Sequence, residues 1–142
     1  MIAILAIIAI SLTITTYGAI SATHTISSSG SIATSAGLGV YYDYACTNPI
    51  TSVNWGSLSP GSTAYQTVYV KNTGSGVSLV LDLDTSSWAP SGADGYLTVN
   101  WDKTGVTLSP GQSVQASISL YVAPSITGIS SFSVQILITG SS

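Results

Sequence analysis

Apolar residues fall on every second position in stretch after stretch of this chain, a spacing that fits a β-strand and not a helix. Val114, Ala116, Ile118, Leu120 and Val122 alternate with Ser117, Ser119 and Tyr121. Phe132, Val134, Ile136 and Ile138 repeat the pattern, as do Leu97, Val99 and Trp101. Ala64, Gln66, Val68 and Val70 alternate with Tyr65, Thr67 and Tyr69, and Val77, Leu79, Leu81 and Leu83 with Asp82 and Asp84. Successive strand side chains point to opposite faces, so this period buries one face and wets the other. Gly37 to Cys46 and Val53 to Leu58 read as shorter strands. Ser59-Pro60-Gly61, Asn72 to Gly76 and Ser109-Pro110-Gly111 supply the turns between them. About seven strands at roughly ten-residue spacing predict an all-β fold, an immunoglobulin-like antiparallel β-sandwich. One short helix is expected near Ser87 to Gly95.

A partial repeat runs through this pattern. Asn54-Trp55 followed by Leu58-Ser59-Pro60-Gly61 echoes Asn100-Trp101 followed by Leu108-Ser109-Pro110-Gly111, with the two L-S-P-G elements 50 positions apart. Proline fixes φ ahead of the turn and glycine permits the positive φ that re-aims the chain. Two copies are too few for a solenoid, so they read as two related strand starts in one sandwich.

Charge is nearly absent. The 142 residues hold two lysines, five aspartates, one histidine and one cysteine, with no arginine or glutamate. Two lysines cannot neutralise a phosphate backbone, which argues against nucleic acid as a partner. A zinc site needs three or four His, Cys or acidic ligands together, and nucleophile–base catalysis usually draws on His, Lys or Glu. No catalytic residue, metal site or cofactor is therefore assigned, and the chain is not expected to be an enzyme. Asp82 and Asp84 are read as a solvated face, since calcium wants six or more oxygens. Asp94-Gly95 is a turn. Trp55, Trp88 and Trp101 are read as core packing, and Cys46 as a small buried hydrophobe. Asn48, Asn54, Asn72 and Asn100 open no N-x-[ST] sequon, whereas 26 serines and 17 threonines leave O-linked glycans open.

The chain divides into an apolar segment over 1–22, an N-terminal strand with a Ser/Gly linker over 23–36, and the β-sandwich over 37–142. Met1 to Ile10 is almost unbroken Ile, Ala and Leu, and no charge appears before Asp43. Three readings of 1–22 stay open. A signal peptide would be cleaved near the small residues Ala19, Ser21 and Ala22. A pilin-like helix of 22 residues would reach about 33 Å. A retained membrane anchor is the third. After this segment Ile20, Ala22, His24 and Ile26 share one parity and form an extended strand ahead of Ser27 to Gly30.

These features point to assembly. Open sheet edges are normally guarded by charge, and this chain has almost none. A detached strand joined by a flexible linker to an incomplete sheet is what strand donation requires, with one subunit's strand pairing with the next subunit's edge. Ile20, Ala22, His24 and Ile26 are the expected subunit-contact residues. Ile20, Ala22 and Ile26 point into the neighbour; His24 lies at the groove's rim or in another register. Of Tyr41, Tyr42, Tyr44, Tyr65, Tyr69 and Tyr121 at least half fall on the expected outer face, where they are candidates for protein–protein contact.

Five stretches carry a resemblance: T-I-S-S-S-G-S at Thr25 to Ser31, G-V-Y-Y-D-Y-A-C-T-N at Gly39 to Asn48, V-N-W-G-S-L-S-P-G at Val53 to Gly61, V-Y-V-K-N-T-G at Val68 to Gly74, and S-I-T-G-I-S-S-F-S at Ser125 to Ser133. Together they resemble archaeal secreted β-sandwich filament subunits of the surface-thread and bundling-pilus type, which are TasA-like in architecture. The resemblance implies an extracellular, cell-surface homopolymer built by inserting an N-terminal strand into the next copy, with contacts to surfaces or other cells. A second resemblance, to archaeal type IV-like pilins, implies a filament core made of the apolar N-terminal helix.

Overall fold

The computed structural model describes residues 26–142. Ten strands follow one another: β1 (Ile26–Thr34), β2 (Leu38–Tyr41), β3 (Ser52–Val53), β4 (Ser57–Leu58), β5 (Thr63–Asn72), β6 (Leu79–Ala89), β7 (Leu97–Trp101), β8 (Thr107–Leu108), β9 (Ser113–Val122) and β10 (Ser131–Ser141). Three have two residues, and the strands expected over Ala64 to Lys71, Val77 to Asp84, Tyr96 to Asp102, Val114 to Val122 and Phe132 to Ile138 appear as β5, β6, β7, β9 and β10. The expected short helix is a single 3-10 turn at Ala93–Gly95.

The strands form two sheets. One runs β3-β1-β10-β6-β8, with β4 also on β1; the other runs β2-β5-β9-β7. Their inner faces meet in one core. Val68, Val70, Ile118 and Leu120 of the second sheet, like Leu81, Ile136 and Ile138 of the first, are completely buried. Each occupies the inward parity read from the sequence. The outward parity carries Ser, Thr, Tyr and Asp, whose polar ends stay in water.

Two features depart from the expected topology. β1 pairs with β10 in parallel, Ser27 opposite Ser131 through Thr34 opposite Ile138, while every other pairing is antiparallel. The last two strands, β9 and β10, also lie in opposite sheets. An immunoglobulin sandwich keeps its last two strands side by side. Local alternation specifies a strand and its inward face, but not which strand lies beside it.

The linker expected at Ser27 to Gly30 is strand. Its backbone pairs with β10 on one side and with β3 and β4 on the other. Ladder bonds on both edges override the weak strand propensity of Ser and Gly. The strand expected over Gly37 to Cys46 stops at Tyr41. There the Asp43 carboxylate takes the N–H groups of Thr47 and Asn48, and Cys46 adopts φ 55°, which turns the chain back. Val53 to Leu58 is likewise broken into β3 and β4. The Gly56 N–H donates to Asn54 Oδ1 at 2.9 Å, and Gly56 takes φ 73°.

The L-S-P-G repeat is a pseudo-two-fold relation between β5 and β9. Gly61 N–H donates to Val122 O at 2.8 Å and Val122 N–H to Ser62 O at 2.9 Å. Fifty positions on, Gly111 N–H donates to Asn72 O at 2.9 Å and Asn72 N–H to Gln112 O at 2.9 Å. Each turn thus closes onto the far end of the other's strand. Gly61 and Gly111 hold φ of 79° and 78°, a left-handed conformation that costs an L-residue about 1–2 kcal/mol. A Cβ would meet ordinary contact at Gly61 and open space at Gly111. Gly61→Ala and Gly111→Ala are therefore expected to destabilise by about 1 kcal/mol each, within about 0.5 kcal/mol of one another. Denaturant unfolding of both variants checks this; a large gap would show that the turns are not equivalent.

Candidate assembly surfaces

The described residues hold no group of three or more His, Cys, Asp or Glu that could bind a metal ion, and no helix among them is long and apolar enough to cross a membrane. Of the four expected contact residues, Ile20, Ala22 and His24 lie outside the described residues. Ile26 opens β1 and is completely buried in the chain's own sandwich, opposite Leu58.

Ile26, Gly30 and Ile32 are buried on the inner side of β1. Trp55, at the bend between β3 and β4, turns inward against it: a Cβ at Gly30 would lie 3.5 Å from Trp55 Nε1. That indole N–H is the one buried side-chain polar atom among the described residues with no hydrogen-bond partner. Neither the seat of β1 nor this unpaired donor is signalled by sequence alternation. The N-W pair of the repeat marks Trp55 only as a core candidate.

Several stretches of sheet edge are open among the described residues. No strand covers the outer side of β7, or the stretch of β5 from Thr63 to Val68 beyond the end of β2. These two stretches are uncharged, whereas β6 is likewise uncovered beyond the end of β8 and carries Asp82 and Asp84 there. Asp82 Oδ1 accepts the Leu83 N–H at 2.9 Å, so one carboxylate already occupies a backbone donor there.

The outer face of the second sheet bears the tyrosines. Tyr65 is 71% exposed and Tyr121 42%, and Tyr44 at 82% stands edge-on to Tyr69 with centroids 6.0 Å apart. Thr63, Thr67, Lys71, Thr98, Asn100, Gln115, Ser117 and Ser119 share this face. The outer face of the first sheet is floored by serines. Two shallow depressions of about 500 and 380 Å³ lie along β1 and β10, lined by Ser29 and Ser133 in both. Trp88 packs near Phe132 at 6.1 Å, and Trp101 Nε1–H donates to Thr104 Oγ1 at 2.8 Å.

Electrostatics are local. The Thr47 hydroxyl, and then the Asn48 N–H, hold the Asp43 carboxyl below its usual range. Burial pushes Asp102 up, but the Ser117 N–H together with Lys103 outweighs it, leaving that carboxyl below its usual range too. Lys103 and Asp102 form an ion pair at 3.0 Å. A depressed carboxylate adds stability above its unfolded pKa of about 3.8 and loses it as pH falls through the lower folded value. The unfolding midpoint should thus stay flat from about pH 8 to 5 and fall only below about pH 4. Thermal melts across that range check it; a fall between pH 7 and 5 would contradict it.

Comparison with family models and with curated proteins finds no match for this chain.

Proposed function

We propose that this protein is the structural subunit of an extracellular, cell-surface filament, polymerising by donation of an N-terminal strand, Ile20 to Ile26, to the next copy. The observation that carries the reading is the seat of β1. The first described strand of the chain lies there between β10 on one side and β3 with β4 on the other, so a strand from the N-terminal part of a chain completes this sheet. The uncharged open stretches of β7 and β5 point the same way. The archaeal thread and bundling-pilus resemblance agrees with it. No enzymatic activity, cofactor or nucleic-acid partner is part of the proposal.

A second reading, a surface-binding module, is favoured by the exposed tyrosine face. Rigid aromatic rings among small hydroxyl side chains are also the make-up of binding surfaces. The pilin reading places Met1 to Ala22 in a helix at a filament centre, and it turns on residues outside those described.

Electron microscopy of the purified native protein is expected to show fibres, and a secreted chain lacking residues 20–26 is expected to show none. Dispersed monomers of the native protein at every pH and concentration would remove the filament reading. Normal fibres from the deleted chain would remove strand donation.

A further inference from the structure

The seven residues ahead of Ser27 repeat the strand that fills the slot. Ile20 to Ile26 reads I-S-A-T-H-T-I, and Ile26 to Ile32 reads I-S-S-S-G-S-I. The isoleucines coincide at both ends. Hydroxyl residues match at the three outward positions, and small residues match at the second inward one. We propose that the seat of β1 is the acceptor site for Ile20–Ile26 of a second copy, bound six residues out of register, and that β1 is its placeholder in the free chain. This rests on the filament reading above.

The seat itself supports the exchange. In the free chain Ile26 and Ile32 fill its two ends, and Ser28 and Gly30 fill the middle. Gly30 leaves the Trp55 N–H unpaired, and an unsatisfied buried donor is costly. In the shifted register Ile20 and Ile26 take the two ends, Ala22 takes the place of Ser28, and His24 takes the place of Gly30. The incoming imidazole thereby brings a ring-nitrogen acceptor to the one buried donor that lacks a partner. A Cβ at this position meets Trp55 only at ordinary contact distance, 3.5 Å. The bend that holds Trp55 is tied to β1 by two strands of two residues each and by the Ser28 hydroxyl on Gly56 O, and the exchange requires it to shift to admit the ring. The displaced residues 27–34 then become an uncharged linker, about 26 Å long when extended. The same backbone ladder forms in either state, so protein concentration draws the chain from self-filled monomer to polymer.

Two cysteine pairs in the whole chain, both with Cys46→Ser, test this. Ser29 and Ser133 are Cα partners across β1 and β10, and neighbouring strands lie within disulfide reach. Ser29→Cys with Ser133→Cys, oxidised before assembly with closure confirmed by thiol titration, locks β1 in its own seat. It is expected to abolish fibres in electron micrographs, and reductant is expected to restore them. Thr23 takes the place of Ser29 in the shifted register. Thr23→Cys with Ser133→Cys, oxidised after assembly, is expected to give a ladder of dimers and higher species on a non-reducing gel. Fibres from the oxidised, locked chain, or only monomers on the gel from Thr23→Cys/Ser133→Cys fibres, would overturn the exchange while leaving the filament reading standing. If the unaltered chain forms no fibres, the filament reading falls and this inference falls with it.

Discussion

Replacing Asn72 with leucine should lower the thermal unfolding midpoint by about 12 °C, although leucine has the same branched skeleton as asparagine and prefers the interior. Asn72 ends β5 and is the one polar residue fully buried among those described. Its Nδ2 donates to Val77 O at 2.8 Å and to Leu108 O at 3.0 Å, and its Oδ1 accepts the Gly74 N–H at 3.0 Å. The side chain thus ties three segments together: the turn after β5, the start of β6 and the end of β8. Leucine removes all three bonds and leaves the Leu108 carbonyl without this donor. At about 1 kcal/mol per bond the loss is about 3 kcal/mol. For a domain of this size each kcal/mol moves the midpoint by about 4 °C. Differential scanning calorimetry of Asn72→Leu against the parent reads the shift directly. A change under about 3 °C would mean that the turn holds without its side-chain rivet.

Asn72 also shows where the sequence stops being readable. The N-T-G-S-G stretch marks a turn, but nothing local says that its first residue points inward. The pseudo-two-fold aligns Asn72 with Val122 at the end of β9, so an apolar residue serves on one side and a satisfied amide on the other. What separates them is the loop that follows: one turns into Gly74 and Val77, the other runs on to Ala123. The inward sets of β5, β9 and β10 were legible because period two is a local signal. The parallel pairing of β1 with β10 was not, because it joins segments about a hundred positions apart. Ser27 to Gly30 misled for a related reason. Serine and glycine favour loops in isolation, and only the neighbours on both edges make them strand. For the candidate site the sequence supplied the parity of Ile20 to Ile26, of which Ile26 alone lies in the described part. It could not supply the slot, the unpaired Trp55 donor or the open edges, which exist only after the sheets close.

Ile136→Ala should cost about 3–4 kcal/mol, whereas Tyr65→Ser should stay within about 0.5 kcal/mol of the parent. Ile136 lies on β10, the strand that joins β1 to β6, and is completely buried. Its Cα partners are Ile32 on one side and Thr85 on the other, and its Cδ1 reaches to 3.8 Å from where a Cβ on Gly30 would be. Truncation removes three carbons from the floor of the β1 seat. The rigid ladder on both sides prevents the strands from collapsing into the gap, which puts the cost in the middle of the range for core truncations. Tyr65 stands outward on β5, mostly in water, and its loss removes little contact within its own subunit. The pair therefore separates folding from assembly. Urea unfolding should show a large drop in midpoint for Ile136→Ala at an unchanged slope, and almost none for Tyr65→Ser. If the tyrosine face joins subunits or holds a surface, Tyr65→Ser should weaken that contact in a protein of normal stability. Similar unfolding midpoints for the two variants would place Ile136 outside the interlocked core.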